Sequence, residues 1–228
     1  VNDTMPTQSL QVDASRPDEA LQQLSGAFDA LAPGDALILE TSGDPRKLTR
    51  SFSEQAWGQF DWVPLQAGNG QWRTEVRKRT QPGPRSISAF LGEDHQRCDG
   101  LYAEAEAAAL AGNAKRAASL FAMFETGMTR HLTMEEEGLF PQLDQRMGFS
   151  GQGPTAVMRE EHDQMRGLLA RMREAVQAGD LTSFADGCET LLILMQQHNM
   201  KEEEVLYPLM DQVFAGEEDS LLKQLITF

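Results

Sequence analysis

One offset relates all four histidines of the chain: His162 follows His95, and His198 follows His131, by 67 residues. The same offset aligns Glu93-Asp94-His95 with Glu160-Glu161-His162, Gly100-Leu101 with Gly167-Leu168, and Ala111-Gly112 with Ala178-Gly179. It also lays His131, Glu135, Glu136, Glu137, Leu139, Phe140 and Pro141 on His198, Glu202, Glu203, Glu204, Leu206, Tyr207 and Pro208, with no gap. Two helical hairpins related by a pseudo-twofold would set equivalent residues facing each other across a bundle axis. A lone histidine on a helix is ordinarily a surface or satisfied core residue. Four of four placed by a repeat are not explained that way.

The chemistry follows from the spacing. In H-x-x-x-E the imidazole and carboxylate lie on one helix face, so His131 with Glu135 and His198 with Glu202 can bind one metal cluster. His95 and His162 supply one more imidazole each. An interior furnished this way resembles the inward-facing Glu and His sites of di-iron carboxylate proteins. Imidazole and carboxylate donors suit iron, manganese or zinc, and the lack of thiolates among them disfavours a sulfide cluster. Burying six such groups without metal is costly, so metal binding should contribute to folding. The neighbours Glu136, Glu137, Glu203 and Glu204 read mostly as solvated face, because one residue more turns a side chain about 100° away. Glu203 is the ambiguous one, since a carboxylate five residues on could also reach a metal. Asp99 and Arg166 stand four residues after the outer histidines, to orient the site, pair with each other or form ordinary salt bridges. Cys98 and Met165 read as packing.

Around these residues the chain has two textures. Residues 88–112, 114–140, 154–179 and 181–213 have helical periodicity, broken at Gly112-Asn113, Gly148 to Gly153 and Gly179-Asp180. Short connections between four helices imply an antiparallel bundle. Residues 8–80 read instead as a small α+β domain in β-α-β-α-β-β order. Its strands are 8–12, 36–40, 61–65 and 72–79, its helices 17–30 and 45–57, and a Gly68-Asn69-Gly70 turn closes the hairpin. Residues 81–87, opening Gln81-Pro82-Gly83-Pro84-Arg85, form a linker; the bundle takes 88–215, and 216–228 is a C-terminal tail.

A net charge of −15 argues against nucleic acid or an anionic membrane surface as partner. No apolar run approaches the ~18 residues of a membrane span, and VNDTMPTQSL lacks the pattern of a signal peptide. Two cysteines ninety positions apart, Cys98 and Cys188, read as buried thiols in a reducing cytoplasm.

The segments EDHQRCDGL, HLTMEEEGLFP, REEHDQM and HNMKEEEVLYP resemble the His-His-Glu motifs of the hemerythrin-like family over about residues 86–215. Oxygen-carrying members have H-x-x-x-H on the third helix and H-x-x-x-x-D on the fourth. Here His162 is followed by Arg166, and His198 by Glu202, which matches the four-His, two-Glu pattern of the bacterial repair-of-iron-centres type. The resemblance implies an up-down four-helix bundle of hemerythrin type and a non-haem centre of two iron ions, oxo- or hydroxo-bridged when oxidised. It implies His95, His131, His162 and His198 as terminal ligands, with Glu135 and Glu202 bridging. Residues 8–80 lack the cysteines of the repair proteins' N-terminal segment. They are similar to an uncharacterised domain related in fold to sulfur carriers, without the reactive Cys. A similar pairing of domains occurs in cytoplasmic nitric-oxide-binding di-iron proteins of denitrifying bacteria. The leading expectation is therefore a cytoplasmic protein binding a diatomic gas, nitric oxide ahead of oxygen, as a ligand-binding protein more than a turnover enzyme. The competing expectations are a di-iron oxidoreductase acting on nitric oxide or peroxide, and an iron donor for repair of damaged iron centres. Oxygen carriage comes last.

Overall fold

The computed structural model describes residues 8–66, 71–149 and 151–228, so the turn expected at Gly68-Asn69-Gly70 lies outside the described residues. The chain divides into two compact units, one of residues 1–85 with Asp219–Phe228 and one of Ser86–Glu218.

The first unit has β1 (Gln8–Val12), α1 (Pro17–Asp29), β2 (Ala36–Thr41), α2 (Arg46–Ala56), β3 (Phe60–Gln66) and β4 (Trp72–Lys78), the order expected from sequence. The sheet runs β1-β2-β4-β3, with β1 parallel to β2 and β4 antiparallel to both its neighbours. Alternation in β2 buries Leu37, Leu39 and Thr41, and the apolar faces of α1 (Ala20, Leu24, Phe28) and α2 (Leu48, Phe52) complete this unit's core. Phe28, Phe52 and Phe60 meet edge-on or tilted at its centre. Residues 216–228, expected to be a tail, contain α9 (Glu218–Leu225), and Ile226 is part of the same core. Leu221, Leu222 and Leu225 recur at helical spacing and bury one face, which is why this stretch is ordered as a helix.

The second unit is helical. Its long helices are α3 (Ile87–Leu110), α4 (Ala114–Thr133), α6 (Pro154–Ala178) and α7 (Leu181–Lys201). α3 packs on α4 and α7, and α6 packs on α4 and α7. Their ends follow from local chemistry. Gly112 and Gly179 take φ of 76° and 75° where α3 and α6 stop. The next residues, Asn113 and Asp180, accept the backbone N–H of Arg116 and Ser183 and so cap α4 and α7. Both pairs obey the 67-residue offset.

The stretches read as single helices over 114–140 and 181–213 each contain a π turn, Met134–Leu139 and Glu202–Leu206, before α5 (Phe140–Met147) and α8 (Tyr207–Val213). Pro141 and Pro208 stand just beyond the two π turns. A proline has no N–H to give the preceding turn, and its ring crowds the carbonyl four residues back, so the helix widens there.

Candidate metal centre

The two π turns carry the acidic ligand candidates. Glu135 and Glu202 are fully buried, and His95, His131, His162 and His198 are buried beside them. α3 and α4 bring His95 and His131 together, Nε2 to Nε2 at 3.0 Å; α6 and α7 bring His162 and His198 together at 3.1 Å. Glu202 faces both pairs: its Oε2 lies 3.4 Å from His95 Nε2 and its Oε1 3.0 Å from His198 Nε2. Glu135 Oε2 lies 3.3 Å from His162 Nε2 and 3.7 Å from His131 Nε2. All six predicted residues are thus gathered in two adjoining groups, Glu135–His162–His198–Glu202 and His95–His131–Glu202.

Each imidazole is aimed by a carboxylate on its other nitrogen. Glu203 lies 2.7 Å from Nδ1 of His95, Asp94 3.0 Å from that of His131, Glu136 2.7 Å from that of His162, and Glu161 2.8 Å from that of His198. A carboxylate acceptor fixes the proton on Nδ1 and leaves the Nε2 lone pair directed inward. The interior therefore gathers four Nε2 atoms and two carboxylates, and Glu135 Oε2 and Glu202 Oε1 have no hydrogen-bond partner. Unpartnered carboxylate oxygens in a buried space are costly, and cations relieve them. The donor set, all imidazole and carboxylate, fits two iron ions.

The outer carboxylates correct the sequence reading. Glu137 and Glu204 are exposed as expected, but Glu136 and Glu203 are bound to histidines. The 100° argument assumes a regular α-helix, whereas the i→i+5 bonding of a π turn spreads more residues over each turn. Glu203, the ambiguous residue, reaches Nδ1 of His95 rather than the ligand cluster. Asp94 and Glu161, and Glu136 and Glu203, are related by the 67-residue offset, and that is the signal that could have found them. Arg166 does not pair with Asp99: it bonds both oxygens of Glu136, at 3.0 and 2.7 Å, and Asp163 at 3.2 Å. Asp94 is held by Arg97 at 2.7 Å and Arg130 at 3.4 Å, and Glu161 by Lys201. Cys98 and Cys188 are free, buried thiols. Tyr207, passed over in the sequence, puts its hydroxyl 2.8 Å from Glu135 Oε1 and 2.9 Å from Glu202 Oε2.

These contacts set the charges before any metal binds. Burial opposes a charged His95, but Glu202 and Glu203 outweigh it and raise its pKa to about 9; His198 is raised similarly against burial by Glu202 and Glu161. Burial pushes the Asp94 carboxyl up, yet His131, Arg130 and Arg97 hold it well below the usual range. Glu136 and Glu161 are also lowered, against burial, by Arg166 with His162 and by Lys201 with His198.

No helix among the described residues is long and apolar enough to cross a membrane. Residues 10–78 match an uncharacterized conserved protein family, DUF2249. The chain is 31% identical over 110 residues to an iron-sulfur cluster repair protein YtfE of Enterobacter sp. (strain 638), covering 44% of this chain and 48% of that one. It is 30% identical over 105 residues to a protein of the same name from Escherichia coli O1:K1 / APEC, covering 42% and 46%. The chain thus spans about half the length of the curated relatives it matches. No solved structure matches it. Residues 86–210 match the hemerythrin HHE cation binding domain, and with more than half of its length and every buried histidine inside that match, the chain belongs to the hemerythrin HHE family.

Proposed function

We propose that this chain is a non-haem di-iron protein serving the repair of damaged iron–sulfur centres, with its own irons available for transfer. The observation that carries the reading is the donor set: two histidine pairs share Glu202, one oxygen toward each, with no fifth imidazole. At the place of that fifth histidine in oxygen carriers, Arg166 is turned away to Glu136. The printed name of the relatives, iron-sulfur cluster repair protein, supports repair over gas storage, the leading expectation from sequence.

In this reading α3, α4, α6 and α7 make the up-down four-helix bundle of the hemerythrin type, and the protein works in the cytoplasm. His95 and His131 would hold one iron and His162 and His198 the other, with Glu135 and Glu202 as the carboxylate donors between the two pairs. When bound, the irons would supply redox chemistry at the centre. The protein's own part is to keep the Nε2 lone pairs inward through Asp94, Glu136, Glu161 and Glu203, and to exclude water by burial. Glu203 and Glu136 reach the outer histidines from half- or part-exposed positions.

The test mixes iron-loaded protein with an apo iron–sulfur protein, sulfide and reductant, and follows cluster formation. Transfer of iron from a chain that first binds about two irons is the expected result. Two tightly held irons that never transfer would reject repair. A second reading, nitric oxide capture, is favoured by the small count of protein donors per iron. Anaerobic titration of the di-ferrous protein with nitric oxide, with nitrous oxide measured, separates capture from turnover.

A further inference from the structure

The 67-residue offset sets Tyr207 against Phe140, so the two halves of the centre differ at this place. Phe140 lies nearly parallel to the His162 ring, 5.8 Å between centroids, and offers no donor. Tyr207 is fully buried, and its hydroxyl has four polar neighbours: Glu135 Oε1 at 2.8 Å, Glu202 Oε2 at 2.9 Å, His95 Nε2 at 3.2 Å and His131 Nε2 at 3.3 Å. A phenol carries one proton and can serve one of these acceptors at a time. Metal–nitrogen and metal–oxygen bonds of about 2.1 Å set neighbouring donors about 3.0 Å apart around an octahedral ion. The phenol oxygen stands at that spacing from two imidazoles and two carboxylates at once, on the His95–His131 side alone. A hydrogen bond to one carboxylate accounts for one of these distances, whereas a metal shared with His95, His131 and Glu202 accounts for three.

We propose that Tyr207 is a ligand to one metal only, the one gathered by His95, His131 and Glu202, so that the two metal positions are unequal. The proposal rests on the two-metal reading of the site. When ferric iron binds, the phenol O–H bond breaks, an iron–oxygen bond forms, and the proton leaves to water with no change in oxidation state. The His162–His198 position has Phe140 at the corresponding place. It therefore has one protein donor fewer, takes water or a small ligand there, and gives up its iron first.

The experiment uses the full chain reconstituted with iron, as wild type and as Tyr207→Phe. The di-ferric wild type is expected to show a visible phenolate-to-iron charge-transfer band, with tyrosinate ring modes in its resonance Raman spectrum. Tyr207→Phe should lack both, and should lose one of its two irons to a chelator about 10-fold faster or more. A wild-type protein holding two irons with no such band, or a band that survives in Tyr207→Phe, overturns the proposal while leaving the two-metal reading standing. Should the variant fail to fold, the wild-type Raman spectrum decides alone. A wild-type chain that never takes up two irons rejects the two-metal reading itself, and the ligand assignment with it.

Discussion

Asp94→Asn and Glu161→Gln change repeat-equivalent residues that do the same job for different histidines, yet their costs should differ widely. Asp94 is nearly buried and is the shared counter-charge of Arg97 and Arg130, whose side chains are 19% and 7% exposed. Those arginines are already short of acceptors, with Arg97 Nη1 and Arg130 Nε unpartnered. Removing the charge leaves two guanidinium groups uncompensated in the interior, and breaking a buried pair costs about 3–5 kcal/mol. With a urea slope of about 2–3 kcal/mol/M, the metal-free unfolding midpoint should fall by roughly 1–2.5 M. Glu161 faces Lys201, whose side chain is 43% exposed, so water replaces the lost charge and the stability cost is about 0–1 kcal/mol. Metal binding should treat the two variants alike, because each exchanges the charged acceptor that aims one imidazole for a neutral amide, at about 10- to 100-fold in affinity. Urea titration followed by far-UV circular dichroism gives the first quantity, and competition with a chelator gives the second. Equal urea midpoints, or metal affinity unchanged in both variants, would refute the reasoning.

Glu135→Ala and Glu202→Ala should each leave fewer than two metals bound, whereas Glu203→Ala should keep both at about 10-fold lower affinity; elemental analysis separates them, and an empty Glu203→Ala protein would make Glu203 a ligand. Metal uptake must displace the proton from His95, whose pKa is raised from 6.5 to about 9. Apparent affinity should therefore rise with pH across that interval and level off above it, in competition titrations run at fixed ionic strength; a flat profile contradicts the assignment. Ile226→Ala should destabilise the sheet unit by about 2–5 kcal/mol and leave metal content unchanged. Trp57, Trp62 and Trp72 all lie in that unit and are the only tryptophans, so their fluorescence reports it separately from the helical signal.

The gathering of the six candidate residues was legible because a gapless repeat of histidines is a pattern packing does not produce. Strand and helix order in the first unit was legible from alternation and periodicity, and the helix breaks from Gly112-Asn113 and Gly179-Asp180. What was not legible shares one physical cause. Assigning faces by 100° steps presumes an α-helix throughout, and the π turns ahead of Pro141 and Pro208 bring Glu136 and Glu203 onto histidines of other helices. Tyr207 escaped notice because an aromatic residue in a bundle is ordinarily core, and only the position of its hydroxyl separates it from Phe140. The last residues looked like a tail because Glu218 to Leu225 is a short amphipathic piece, and no local pattern names the surface it covers.

That closing segment has a consequence for how the protein is made. Residues 8–85 leave the ribosome before the helical unit, yet the core they build includes Ile226, synthesised after every histidine and glutamate of the metal centre. Domains fold as they emerge, at about 5–20 residues per second, so the helical unit is complete in the nascent chain while the sheet unit still waits for its final piece. Translation halted just after Glu218 would release a chain with a whole metal centre and an unfinished sheet unit. The sheet unit, begun before the helical one, is finished after it.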